Sequence, residues 1–154
     1  LKVRLITIAK SNFPFVADGA KMYVQRMRGL ASFTYDEVHV KLKSKDVEAV
    51  KKEEGMAILK HCEGSKIFLF DERGKSYSSE QFAKFFEKQG LSGTKSIALV
   101  IGGAYGFSDE VYAKSTGQIS LSAMTFSHQL VRVLALEQIY RAHTIIKGLP
   151  YHHA

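Results

Sequence analysis

Three segments combine small, aromatic and hydroxyl side chains in a way that suits a ligand site: Phe70-Asp71-Glu72-Arg73-Gly74, Gly102-Gly103-Ala104-Tyr105-Gly106-Phe107-Ser108, and Ser122-Ala123-Met124-Thr125-Phe126-Ser127-His128. A tight turn using positive φ is the better account of an isolated glycine pair, and close approach of a flat ligand to bare backbone at Gly102 and Gly103 is favoured only by the two other specialised segments. No Lys-Ser or Lys-Thr follows this loop and its spacing is not G-x-G-x-x-G, so neither a P-loop nor a dinucleotide fingerprint is present. The run Leu121, Ser122, Ala123, Met124, Thr125, Phe126 suits a slot for an adenine ring with backbone hydrogen bonds, and ordinary core packing explains the same composition. Further along stand His128, Arg132, Glu137 and Arg141, the last two spaced as an i,i+4 ion pair of the kind that decorates solvated helix faces. The chain ends Tyr151-His152-His153-Ala154, aromatic and titratable. The histidine spacing, with no cysteine or carboxylate partners nearby, does not match a zinc site, and no metal is expected.

The elements that must carry these groups alternate. Val3 to Ala9 is a short β-branched run, and Phe13 to Leu30 carries apolar residues at mixed three and four spacing, which predicts strand then helix. Tyr35 to Leu42 and Asp46 to Cys62 repeat the pair. Lys66 to Phe70 reads as a strand buried on both faces that ends in a charged turn at Asp71 to Gly74. Ser78 with Gln81 forms a capping-box pattern ahead of Phe82, Phe85 and Phe86, which share one helix face ending near Gly90. Lys95 to Ile101 is the strongest strand signal and runs straight into Gly102. Ser108 and Asp109 cap a short helix to Ser115, and Ile119, Leu121 and Ala123 alternate as a fifth strand. Leu130 to Lys147 is a long helix closed by Gly148, with Pro150 beyond. This alternation predicts one α/β domain over 1–154, with a mainly parallel sheet and helices on both faces. In such sheets ligands sit beyond the carboxyl ends of the strands, where the three segments above would meet.

The 154 residues carry a formal charge of +7 spread along the chain, which suits a polyanionic partner without specifying one. The single cysteine, Cys62, cannot form an internal disulfide and points to a reducing compartment. No apolar run reaches the roughly 20 residues a membrane span needs, and the first strand is too short for a signal peptide, so a cytoplasmic location is expected.

Beyond these patterns, K-V-R-L-I-T-I-A-K at the start, L-V-I-G-G-A-Y-G-F-S, the run I-S-L-S-A-M-T-F-S-H-Q-L-V-R-V-L-A-L-E-Q-I-Y-R-A-H and the final P-Y-H resemble the ribosomal RNA large-subunit methyltransferase H family over essentially the whole length. The resemblance implies a SPOUT fold whose C-terminal segment makes a trefoil knot, and a homodimer whose interface adjoins the cofactor site. It implies S-adenosylmethionine as cofactor, converted to S-adenosylhomocysteine, in a pocket lined by Phe70, Gly102, Gly103 and Leu121 to Phe126. It further implies methyl transfer to N3 of a pseudouridine in 23S ribosomal RNA, within the ribosome.

By the same carry-over, Glu137 and Arg141 orient one another near the reaction and the Tyr151-His152 tail closes over it, in one arrangement from the second protomer. His152 is the preferred base, while His128 and Arg132 position RNA phosphates or the loop itself. Lys21, Arg26, Arg28 and Lys43 are candidate contacts to RNA. The chain departs from the family pattern in two places: His153-Ala154 stand where a basic residue usually follows Tyr-His, and Ser127 stands where proline is common. The alternatives are a SPOUT enzyme acting on transfer RNA and a catalytically silent RNA-binding or ribosome-assembly module.

Overall fold

The computed structural model describes residues 1–153. Strands β1 (Lys2–Ile8), β2 (Ser32–Val38), β3 (Lys66–Ser76), β4 (Ser96–Ile101) and β5 (Gly117–Ser120) alternate with helices α1 (Pro14–Met27), α2 (Val47–His61), α3 (Ser79–Leu91), α4 (Asp109–Lys114) and α5 (Leu130–Ile146). The strands form one five-stranded sheet in the order β2-β1-β4-β3-β5, and every pairing is parallel. The expected α/β architecture is therefore present, with a wholly parallel sheet.

Strand periodicity sorts the core into two layers. Val3 and Leu5 of β1 and Ile97, Leu99 and Ile101 of β4 pack with α1, α3 and α5. Their neighbours Ile6, Ile8, Ala98 and Val100 face Ile58 of α2 and Val111 of α4. A strand buried on both faces must be apolar at successive positions, which is why β4 reads so clearly in the sequence. Phe82, Phe85 and Phe86 of α3 form an aromatic cluster with Phe68, whose ring meets Phe85 edge-on at 4.9 Å. Ser78 caps α3 with a complete capping box, and Asp46 caps α2 by accepting from the Ala49 N–H at 3.1 Å.

Three boundaries differ from the sequence expectation. The strand expected at Tyr35 to Leu42 lies at Ser32–Val38, because register with β1 ends at the Ile8–Val38 pair and this half-exposed edge strand carries weak alternation. Asp71 to Gly74 does not end its strand: β3 continues to Ser76, and these four residues bulge out of the ladder, with Phe70 and Lys75 both opposite Ile119. Gly74 is needed there because a Cβ would lie 2.6 Å from the Gln118 carbonyl carbon across the ladder. The fifth strand stops at Ser120, which leaves Leu121 and Ala123 in the segment that follows it.

Candidate functional site

That segment sets the geometry of the site. From β5 at one sheet edge, residues 121–129 run across the carboxyl ends of the strands to the end of β1, where Gln129 accepts from the Asn12 N–H at 2.8 Å and donates to the Lys10 carbonyl at 3.1 Å. On the way the Thr125 hydroxyl donates to Glu72, beside β3's bulge. Arg132, in the first turn of α5, anchors the crossing. Its guanidinium donates to the carbonyls of Ile8 at 2.5 Å, Ala9 at 2.9 Å and His128 at 3.2 Å, and pairs with Glu37 at 3.1 Å.

Between this crossing and the ends of β3 and β4 lies a cleft of about 760 Å³. Phe70, Gly102, Gly103, Leu121, Ser122, Met124, Thr125, Phe126 and His128 all line it, so the structure brings the three sequence segments together. Ala123 is exposed and does not line the cleft. The β4 loop owes its shape to glycine. A Cβ on Gly102 would sit 3.1 Å from the Phe107 ring, and one on Gly103 would sit 2.6 Å from a Glu54 carboxylate oxygen. Gly106 takes φ +79 where the loop folds back in the Gly103–Gly106 bridge.

The rim is polarised. Asp71 pairs with Arg73 at 3.1 Å and accepts from the Tyr112 hydroxyl, and the Arg73 hydrogen bond is the main reason its carboxyl is held down at about 2. Burial, then the Arg132 charge, pulls the His128 pKa below its ordinary value, which favours a neutral imidazole at the cleft. Apolar walls, bare glycine backbone and the Glu72 carboxylate suit a small molecule that is mostly apolar and carries a cationic group. Among the described residues no cluster of three His, Cys, Asp or Glu side chains is placed to hold an ion.

Of the two roles expected for Arg132, RNA phosphates or the loop itself, the geometry supports the loop: its side chain is wholly buried and donates to three backbone carbonyls and Glu37. The remaining candidates form a separate cluster. Arg141 donates to Glu137 at 2.5 Å and to His152 Nδ1 at 3.2 Å, Tyr151 donates to Glu137 at 3.1 Å, and His152 Nε2 lies 2.8 Å from Glu80. Because arginine only donates, Nδ1 accepts and the remaining proton on Nε2 points at Glu80. The Arg141 guanidinium covers the Tyr151 ring at 4.7 Å, and burial, with Tyr23 and Glu137 beside it, pushes the Tyr151 hydroxyl up to about 12. Glu137 lines a hollow that shares Leu121 and Phe126 with the cleft. Arg141 lies ten residues beyond Val131, the last cleft residue, and so about 15 Å along α5 at 1.5 Å per residue. The tail cluster does not line the cleft of its own chain.

Comparison with known proteins decides the family. The family described as "Predicted SPOUT methyltransferase" matches residues 1–152. The chain belongs to the SPOUT methyltransferase family. This SPOUT methyltransferase is 42% identical to a protein of Cytophaga hutchinsonii over 99% of this chain and 100% of that relative. It is 40% identical to one of Christiangramia forsetii over 99% of each. Both relatives are named ribosomal RNA large subunit methyltransferase H. A probable methyltransferase structure from Bordetella pertussis aligns with a TM-score of 0.57 at 13% identity, over 92% of this chain and 96% of that one, a likeness of fold. Two carboxylates that touch these sites escaped the sequence. Glu54 stands in the charged run Lys51-Lys52-Glu53-Glu54 and Glu80 in a helix first turn, both ordinary places for solvated acids.

Proposed function

We propose that this SPOUT methyltransferase acts as one domain over 1–154, in the cytoplasm, and moves a methyl group from S-adenosylmethionine to N3 of a pseudouridine in large-subunit ribosomal RNA. The observation that carries this reading is the single cleft joining Phe70, Gly102, Gly103 and the 121–128 crossing, in a chain whose full-length relatives are named for that RNA. A volume of about 760 Å³ lies within the usual range for cofactor sites, and the residues present fit the donor. Phe70, Leu121 and Phe126 would flank its adenine, the Gly102-Gly103 backbone would pass close beside it, and Glu72, the carboxylate next to the Asp71–Arg73 pair, would face its cationic centre. When bound, the donor supplies an activated methyl for in-line displacement, leaving S-adenosylhomocysteine. The crossing segment is also the part of the chain that would close the trefoil knot.

What the protein must add is position and a destination for the N3 proton. His152 serves as the acceptor, at the Nδ1 that Arg141 now occupies, and Arg141, oriented by Glu137, faces the charge that develops as the proton leaves. Since this cluster stands away from its own cleft, it serves the cleft of a second copy. Exposed Phe13 and Phe15, stacked at 5.8 Å beside the start of α5, and exposed Leu130 offer an apolar surface for that contact.

The test incubates the protein and labelled S-adenosylmethionine with ribosomes from a strain lacking the homologous enzyme, alongside free ribosomal RNA and transfer RNA, and maps the product by mass spectrometry. Label on a large-subunit pseudouridine is the expected result. Label on transfer RNA would replace the substrate, and cofactor binding without label would favour a silent ribosome-assembly module.

A further inference from the structure

A second cavity of about 610 Å³ opens on the α2 side of the cleft and shares Gly103, Ala104, Tyr105 and His128 with it. Its wall holds Glu54, a carboxylic acid only 7% exposed, whose Oε1 has no hydrogen-bond partner. Buried acceptors are normally satisfied, and one left without a donor weakens the fold until a donor arrives. Lys43 and Lys45 also line the cavity, and neither forms an ion pair among the described residues. Tyr105, half exposed, contributes an aromatic ring. Cations for phosphate, a ring for stacking and an unpartnered acceptor are what a nucleobase turned out of its stack requires.

We propose that this cavity receives the target nucleobase and that Glu54 accepts the N1–H of pseudouridine, making it the residue that tells pseudouridine from uridine. The inference rests on the function proposed above and names the group that selects its substrate. Pseudouridine is joined to ribose through carbon, so N1 keeps its hydrogen; at the equivalent ring position uridine presents only a C–H. N1 and N3 flank the same carbonyl, so an acceptor at N1 lies with a single ring carbon between it and the nitrogen to be methylated. Glu54 meets that requirement, because its carboxylate abuts Gly103, which lines both this cavity and the cofactor cleft. A uridine in the cavity would leave Glu54 as unpaired as it is in the free protein, and sites built to pair a substrate N–H discriminate strongly for that reason.

The test compares wild type with Glu54→Leu and Glu54→Gln on ribosomes carrying pseudouridine or, from cells lacking the pseudouridine synthase, uridine at the target. Glu54→Leu is expected to lower kcat/KM on pseudouridine about tenfold or more while hardly changing it on uridine. Glu54→Gln, which keeps an acceptor oxygen, should retain part of the preference. Calorimetric affinity for S-adenosylmethionine should stay unchanged in both variants. Equal losses on the two substrates, an unchanged ratio between them, or lost cofactor affinity would each overturn the assignment. Binding of a short RNA hairpin with pseudouridine or uridine, read by fluorescence anisotropy, separates the two proposals. If wild type binds the pseudouridine form more tightly through Glu54 yet transfers no methyl, the base-reading role stands and the transfer reaction fails.

Discussion

Arg132 shows how one side chain can hold a site without touching its ligand. Buried completely, it ties the crossing segment to the end of β1, where Ala9 adopts φ +69, an uncommon conformation for a residue with a Cβ. Arg132→Ala strips the donors from the Ile8 and Ala9 carbonyls and from Glu37, and should destabilise the fold by about 3 kcal/mol, read as a lower urea midpoint. His143 works on the same scale. It is buried against Phe86 at 4.8 Å with Nδ1 donating to the Ile139 carbonyl at 2.8 Å, and burial is the main cause of its lowered pKa. A histidine that stays neutral in the fold contributes its stability above the ordinary pKa of 6.5 and loses it as pH falls through the folded value, since the unfolded chain then binds the proton first. Melting temperature should therefore drop as pH falls below about 6.5, and His143→Gln should flatten that part of the profile. The sequence marks both residues as polar positions on a helix. It does not say that they face inward, because burial depends on which elements cover them.

At the scale of elements, local chemistry was legible wherever it closes on itself. The capping box at Ser78 and Gln81, the Ser108 cap and Gly148 at φ +69 all satisfy helix ends within a few residues, so sequence spacing suffices to find them. The bulge in β3 is the opposite case. Asp71-Glu72-Arg73-Gly74 has turn composition and bulges out of the ladder, since Phe70 and Lys75 both pair with Ile119, and only the partner strand explains Gly74. Gly74→Ala forces a Cβ into the Gln118 backbone and should cost about 1–3 kcal/mol of stability. Because β5 leads into the 121–128 segment, the same change should weaken S-adenosylmethionine binding by calorimetry.

For the whole molecule, the separation of the tail cluster from its own cleft makes assembly the central question. If a second copy completes each site, two variants with defects in different parts should rescue one another. Arg141→Ala spoils the tail cluster and Gly102→Val the cleft, where added bulk meets Phe107. Co-expressed together, random pairing should restore about a quarter of wild-type methyl transfer, since half of the dimers are mixed and each mixed dimer has one intact site. Activity no better than the sum of the separate variants would assign the tail cluster to its own chain.

Local pattern alone determined the α/β alternation, the helix caps and the glycine-rich turn after β4, because period and capping are set by neighbours along the chain. Family likeness in the sequence added the transferase chemistry and the list of cleft residues. Only the tertiary structure decided that Arg132 is a buried anchor, that Tyr151 and His152 fold onto Glu137, Arg141 and Glu80, and that Glu54 lies unpartnered behind Gly103. Each of these depends on contacts between residues far apart in the chain, and charge or polarity at a single position carries no information about what another element will bring against it.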